Sequence, residues 1–122
     1  MIRDVSGLRV LVLPDEGPPL AHERDFADLI GMTFGQGVDM VAIPVPRLTD
    51  DFFRLSTRLA GEVLQKFVNY HLRVAIIGDM SQWAAQSGPL RDFVSESNRG
   101  QSVWFVADLD ELERRRAEAR HR

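Results

Sequence analysis

The chain contains no cysteine. Disulfides, thiolate metal sites and thiol nucleophiles are therefore excluded, and a reducing compartment is favoured. Histidine is sparse: His22, His71 and His121 are scattered, with no neighbour at metal-ligand spacing. Each reads as a lone surface residue. No apolar run approaches the roughly 20 residues that a bilayer span needs. The start, Met1-Ile2-Arg3-Asp4, carries no apolar signal region. A cytoplasmic protein that does not engage membranes is expected. Positive charge is also short. Fifteen Lys and Arg stand against 18 Asp and Glu, a net charge of -3. Free nucleic acid would meet net repulsion, so no nucleic-acid partner is expected. A glycine-rich phosphate loop is missing as well. Gly31, Gly35 and Gly37 fall in or at the end of a predicted helix, without the strand-then-turn context such a loop requires. No Ser/His/Asp arrangement is readable, and no cofactor is expected.

What is present is the composition of a folded chain. With 122 residues, 44% hydrophobic and 27% charged, the whole length is read as one domain with an arginine-rich helical end. Ile2–Val5 and Leu8–Leu13 are predicted strands, joined by a two-residue hairpin turn at Ser6-Gly7. Three prolines and Gly17 make Pro14–Pro19 a loop. Glu23 and Asp25 suit the first turn of a helix, whose apolar spacing runs through Phe26, Leu29, Ile30 and Phe34 to a stop at Gly35 or Gly37. Val41–Val45 is a strand.

Between Thr49 and Tyr70, a spacing of about 100° per residue puts Leu55, Leu59, Ala60, Val63, Leu64, Phe67 and Tyr70 on one broad arc. The polar stripe opposite holds Arg58, Glu62, Gln65, Lys66 and Asn69, with Glu62 and Lys66 a favourable pair one turn apart. The helix begins near Asp50 or after a loop at Ser56. Leu72–Ile77 reads as a central strand buried on both faces. Gly88-Pro89 opens a further helix with Leu90, Phe93 and Val94 as its stripe, and Gly100 ends it. Val103–Val106 is the last strand. Asp108 and Glu111 approximate a capping box for the final helix.

The order β-β-α-β-α-β-α-β-α predicts an α/β fold, with a mixed, mostly parallel sheet of about five strands and about four helices. In such sheets ligands sit beyond the carboxyl ends of the strands. Asp15, Glu16 and Asp79 fall there and are candidate Mg²⁺ ligands, as in the receiver domains of response regulators. Those domains also need a lysine after the last strand, where this chain has Ala107-Asp108. Solvated loop acids are the plainer reading. Arg114, Arg115, Arg116, Arg120 and Arg122 are read as a solvated helix end rather than a nucleic-acid arm, because Glu113 and Glu118 interrupt them. Asp92 and Glu96 repel across one helical turn, with Arg91, Arg99 or a partner's cation able to compensate and relief by Arg99 and solvent the plainer reading.

Certain residues resemble a family. Phe52-Phe53, Leu55, Thr57, Ala60-Gly61-Glu62, Gln65-Lys66-Phe67, Tyr70 and Gly78-Asp79 are similar to the domain of unknown function 4180. So are Leu90-Arg91-Asp92-Phe93, Glu96-Ser97-Asn98 and Gly100. The resemblance runs from about Leu8 to Leu112 and implies a small bacterial protein without an assigned activity. It calls for glycine where this chain has Arg58, and for arginine where it has Ser56. Glu62, Asp79, Arg91, Asp92, Glu96 and Asn98 are the candidate interaction or ligand residues. A looser resemblance, in element order, is to the STAS (sulfate transporter and anti-sigma antagonist) domain. It implies a regulatory hydroxyl ahead of the helix after the third strand, making Ser56 and Thr57 the candidate phospho-switch. A phosphate there adds about -1.5 to -2 charges. The alternative is a pair of part-buried hydroxyls bonded to the backbone.

The leading expectation is a non-enzymatic, STAS-like regulatory or protein-interaction domain with a protein partner. The competing one is a small ligand- or metal-binding enzyme using Asp15, Glu16, Asp79 and Glu62. A homodimer through Phe52, Phe53, Trp83 or Trp104 is a third, although these aromatics also suit a core.

Overall fold

The computed structural model describes residues 1–120. Ser6 and Gly7 both take positive φ, 47° and 92°, the combination that a tight hairpin turn of this hand requires. They join β1 (Ile2–Val5) to β2 (Leu8–Val12) in antiparallel register. The later strands, β3 (Met40–Pro44), β4 (Arg73–Ile77) and β5 (Val103–Val106), each add parallel to the one before, giving the order β1-β2-β3-β4-β5.

Sequential order has a consequence for the layers. Right-handed crossovers between successive neighbours all lie on the same side of a sheet. Accordingly α1 (Glu23–Met32), α3 (Leu59–Asn69) and α5 (Gly88–Arg99) share one face. Phe26, Ile30, Val63, Phe67 and Leu90 from these helices meet Leu11, Val41, Ile43, Val74, Ile76 and Phe105 from the strands. The opposite face has only α6 (Leu109–Arg120) over it among the described residues. Leu112 joins Val10, Met40, Ala42, Ala75 and Trp104 in a second, smaller core. Both cores draw on the same strands because neighbouring side chains of a strand point to opposite faces. That is why β3 is buried at all its positions.

The structure decides or corrects several local expectations. Of the two helix starts left open, the later one, after a loop at Ser56, is close to the structure, and the span from Thr49 to Tyr70 is not one helix. A short α2 (Asp50–Phe53) is followed by a 3-10 turn at Leu55–Thr57, and α3 begins only after Arg58, whose φ is 66°. The Thr57 hydroxyl accounts for the break. It lies 2.7 Å from the Asp51 carbonyl and 2.8 Å from that of Arg54, and it accepts the Leu59 N–H. Arg58 is thus in a left-handed conformation that glycine adopts without strain, and that costs other residues about 1–2 kcal/mol. This is the position where the resemblance calls for glycine.

Tyr70 leaves the predicted apolar arc and is 53% exposed. Phe34 does the same. Helix α1 stops at Met32, the Thr33 hydroxyl donates to the Ile30 carbonyl, and Phe34 packs instead against Tyr70 with ring centroids 5.8 Å apart. Lys66 reaches Glu23 on α1, at 3.8 Å, rather than Glu62 on its own helix. Finally, the described residues hold six helices where about four were expected, because α2 and a second short helix, α4 (Ser81–Ala84), are added.

The arginines of α6 are a solvated end only in part: Arg114 and Arg120 are exposed, while Arg115 and Arg116 are half-buried. Arg115 lies 4.7 Å over the Trp104 ring and donates to the Asn98 carbonyl, while Arg120 donates to the Ser6 carbonyl. His121 and Arg122 lie outside the described residues. No described helix is long and apolar enough to cross a membrane.

Candidate functional site

The chain leaving β4 passes to the face of α5, where Trp83, Ala84 and Leu90 join the first core. The chain leaving β5 passes to the other face, where Leu109 and Leu112 join the second. Two adjacent parallel strands whose exits diverge in this way open a crevice beyond their carboxyl ends. The crevice has a volume of about 620 Å³, and Asp15, Asp79, Asp108 and Asp110 contribute to its walls. Its floor is tight at Gly78, where φ is 135° and an added Cβ would lie 3.1 Å from the Val45 side chain.

Two of these acids have structural partners. Asp79 accepts the Ser81 N–H at 2.9 Å, which caps the short α4. That bond, with a further one from the Ser81 hydroxyl, holds the Asp79 carboxyl below its ordinary range. Asp108 accepts the Glu111 N–H at 2.8 Å and caps α6, as the sequence anticipated. Of the predicted trio, Asp15 and Asp79 share the cleft and Glu16 does not line it. Arg47 gathers the loop carbonyls of Pro14 and Pro18 instead, at 3.1 and 3.0 Å. Among the described residues no three acids or histidines are grouped so as to hold a metal ion. His22 precedes α1 and His71 follows α3, and neither lines this cleft.

A second groove lies at the same end of the sheet. It has a volume of about 410 Å³ and is bounded by the 3-10 turn on one side and by α4 and the start of α5 on the other. Its base is aromatic. Trp83 stacks on Phe53 with ring centroids 4.2 Å apart, and the indole N–H donates to Asp50 at 2.9 Å. Its rim is polar, with Arg54, Ser56, Gln82, Gln86 and Ser87. The two candidate switch hydroxyls therefore differ. Thr57 is engaged within its own turn, whereas Ser56 is exposed on the groove wall.

The remaining candidates are not brought together. Glu62, Asp92 and Glu96 are exposed on the outer sides of their helices. No cation lies within 4.0 Å of Asp92 or Glu96 among the described residues, so neither Arg91 nor Arg99 provides the expected compensation. Arg91 donates to the Ala84 carbonyl at 2.6 Å and ties α4 to α5. Asn98 is also internal. Its side-chain carbonyl accepts the Phe105 N–H at 2.7 Å and its amide donates to the Phe105 carbonyl at 3.3 Å, so it substitutes for a neighbouring strand along the free edge of β5.

Gln82, Gln86 and Arg54 were missed in the sequence, and Trp83 entered only as a dimer candidate. A single tryptophan between two glutamines, in a segment too short for helical periodicity, gives little signal. The four aromatics considered for a dimer are accounted for within the fold. Phe52, Phe53 and Trp104 are buried, and Trp83 lies against Phe53.

The family described as "Domain of unknown function (DUF4180)" matches residues 5–115. The chain belongs to this family. No curated protein and no solved structure matches it. Within this DUF4180 chain, most residues that carry the likeness serve the scaffold. Phe52, Phe53, Ala60, Phe67 and Leu90 are core, Thr57 sets the turn, Gly78 packs against Val45 and Asn98 holds β5.

Proposed function

We propose that this chain is a STAS-like regulatory domain of the bacterial cytoplasm. It binds a protein partner through the groove at the carboxyl end of its sheet, with Ser56 as the regulated residue. The observation that carries this reading is the exposed Ser56 on a turn pinned by Thr57, beside an aromatic floor formed by Trp83 and Phe53. A rigid aromatic base with a polar rim is the kind of surface on which protein interfaces concentrate their energy. The element order and the place of the hydroxyl, just ahead of α3 and between β3 and β4, support the likeness to STAS domains. The absence of cysteine fits a reducing compartment. The neighbouring cleft, with its acids partly engaged in capping, supports binding over catalysis and gives the surface a negative flank suited to a partner with a basic rim.

A charge on Ser56 would have to be desolvated at such an interface. Ser56→Asp is therefore expected to lower recovery of the partner from native cell extract by about tenfold or more, while Ser56→Ala leaves it unchanged. Quantitative pulldown measures both, and unaltered melting temperatures show that the turn survives. Equal recovery with alanine and aspartate would remove the switch.

A further inference from the structure

At the amino end of the parallel strands, away from that groove, an unusual set of cations gathers beneath α6. Cross-strand register puts Arg3, Val10, Met40 and Arg73 in one lateral row. Val10 and Met40 belong to the core that α6 covers, so this row faces α6. Arg116 and Arg120 stand one turn apart on that helix. Arg116 is held below its ordinary pKa by burial, and then by the charges of Arg73 and Arg120, with Asp39 pulling the other way.

The hydrogen bonds around these groups are incomplete. Arg73 Nη1 and Arg116 Nε are buried and have no acceptor among the described residues. No carboxylate lies within 4.0 Å of either guanidinium among the described residues. Asp39 gives one carboxylate oxygen to the Arg9 backbone N–H at 2.9 Å and forms no ion pair with Arg73 or Arg116 among the described residues. Arg120 donates through Nη1 to the Ser6 carbonyl, which leaves the rest of its fork of donors.

Arg73 and Arg116 are only part-buried and Arg120 is exposed, so each fork keeps donors besides the covered ones. A cluster of like charges with unused donors is a cost that one multivalent anion relieves. Guanidinium groups match the oxygens of phosphate in both charge and geometry. We propose that Arg73, Arg116 and Arg120 form a binding site for a small phosphate-class dianion, either inorganic phosphate or a phosphomonoester.

The test uses the full chain labelled with ¹⁵N at arginine. Inorganic phosphate and phenyl phosphate are titrated separately, with sodium chloride holding ionic strength constant. The Arg116 Nε–Hε resonance is expected to shift saturably with one or both, and the tighter of the two identifies the source of the phosphate. R116M is expected to weaken binding by about tenfold or more. The unliganded variant should melt no lower than the parent, because a charge with no partner has been removed. Should R116M fail to fold, R73M gives the same comparison. A resonance that moves no further with either phosphate than with chloride alone, or unchanged affinity in the variant, overturns the proposal and leaves water as the acceptor.

Discussion

Replacing Leu112 with alanine is expected to destabilise the protein by about 3–5 kcal/mol, a large fraction of the roughly 5–15 kcal/mol that holds a domain together. The reason lies in the unequal covering of the sheet. Three helices share one face, while α6 alone lies over the other among the described residues. Within α6, Leu112 is the fully buried residue, at 0% exposure, and Leu109 and Ala119 only lean on the core. Opposite it, Ala42 and Ala75 sit side by side in register, and neither is large enough to fill a hole. A cavity there therefore persists instead of collapsing. Urea unfolding followed by circular dichroism measures the loss. Trypsin adds a local readout, because cleavage within Arg114–Arg116 becomes faster if α6 lifts. A loss below about 1 kcal/mol would show that α6 does not seal this face.

The second large effect is expected at Asn98. Asn98→Ala removes both bonds to Phe105, whose residue is only 6% exposed, and leaves its backbone N–H and C=O with little access to water. The expected cost is about 2 kcal/mol. It also strips the guard from β5, which pairs with β4 on its other side and ends the sheet. An uncovered edge is a template for another strand. The variant should therefore self-associate with rising concentration in sedimentation velocity, where the parent does not change. Asn98→Asp separates the two bonds: the carboxylate accepts the Phe105 N–H but cannot donate to its carbonyl, so part of the stability returns. An alanine variant as stable and as dispersed as the parent would contradict this role.

These two residues also mark where the sequence was legible. The strands were, because apolar runs such as Leu72–Ile77 have no other reading, and the Ser6-Gly7 hairpin followed from its turn chemistry. Parallel order followed from alternation. The break before α3 was one of two readings left open, because a helical wheel cannot register that the Thr57 hydroxyl lies against two carbonyls of its own segment. The work of the α6 arginines was hidden by distance: Arg115 and Arg120 find their carbonyl partners 17 and 114 residues away in the chain. At the candidate site, Asp15 and Asp79 were reachable from the rule that loops after strands build sites, and Ser56 only through the resemblance to STAS domains. The aromatic floor was not, because it needs Trp83 and Phe53 to meet across two short helices that carry no period of their own.

The function proposed for the carboxyl end is tested most directly by site-specific photocrosslinking in the native cell. A benzophenone side chain replaces Gln86, on the rim of the groove, or Phe34, 60% exposed beside Tyr70 on a different surface. The account predicts one discrete crosslinked partner from position 86 and none from position 34. Crosslinks from position 34 alone, or the same products from both, would contradict it.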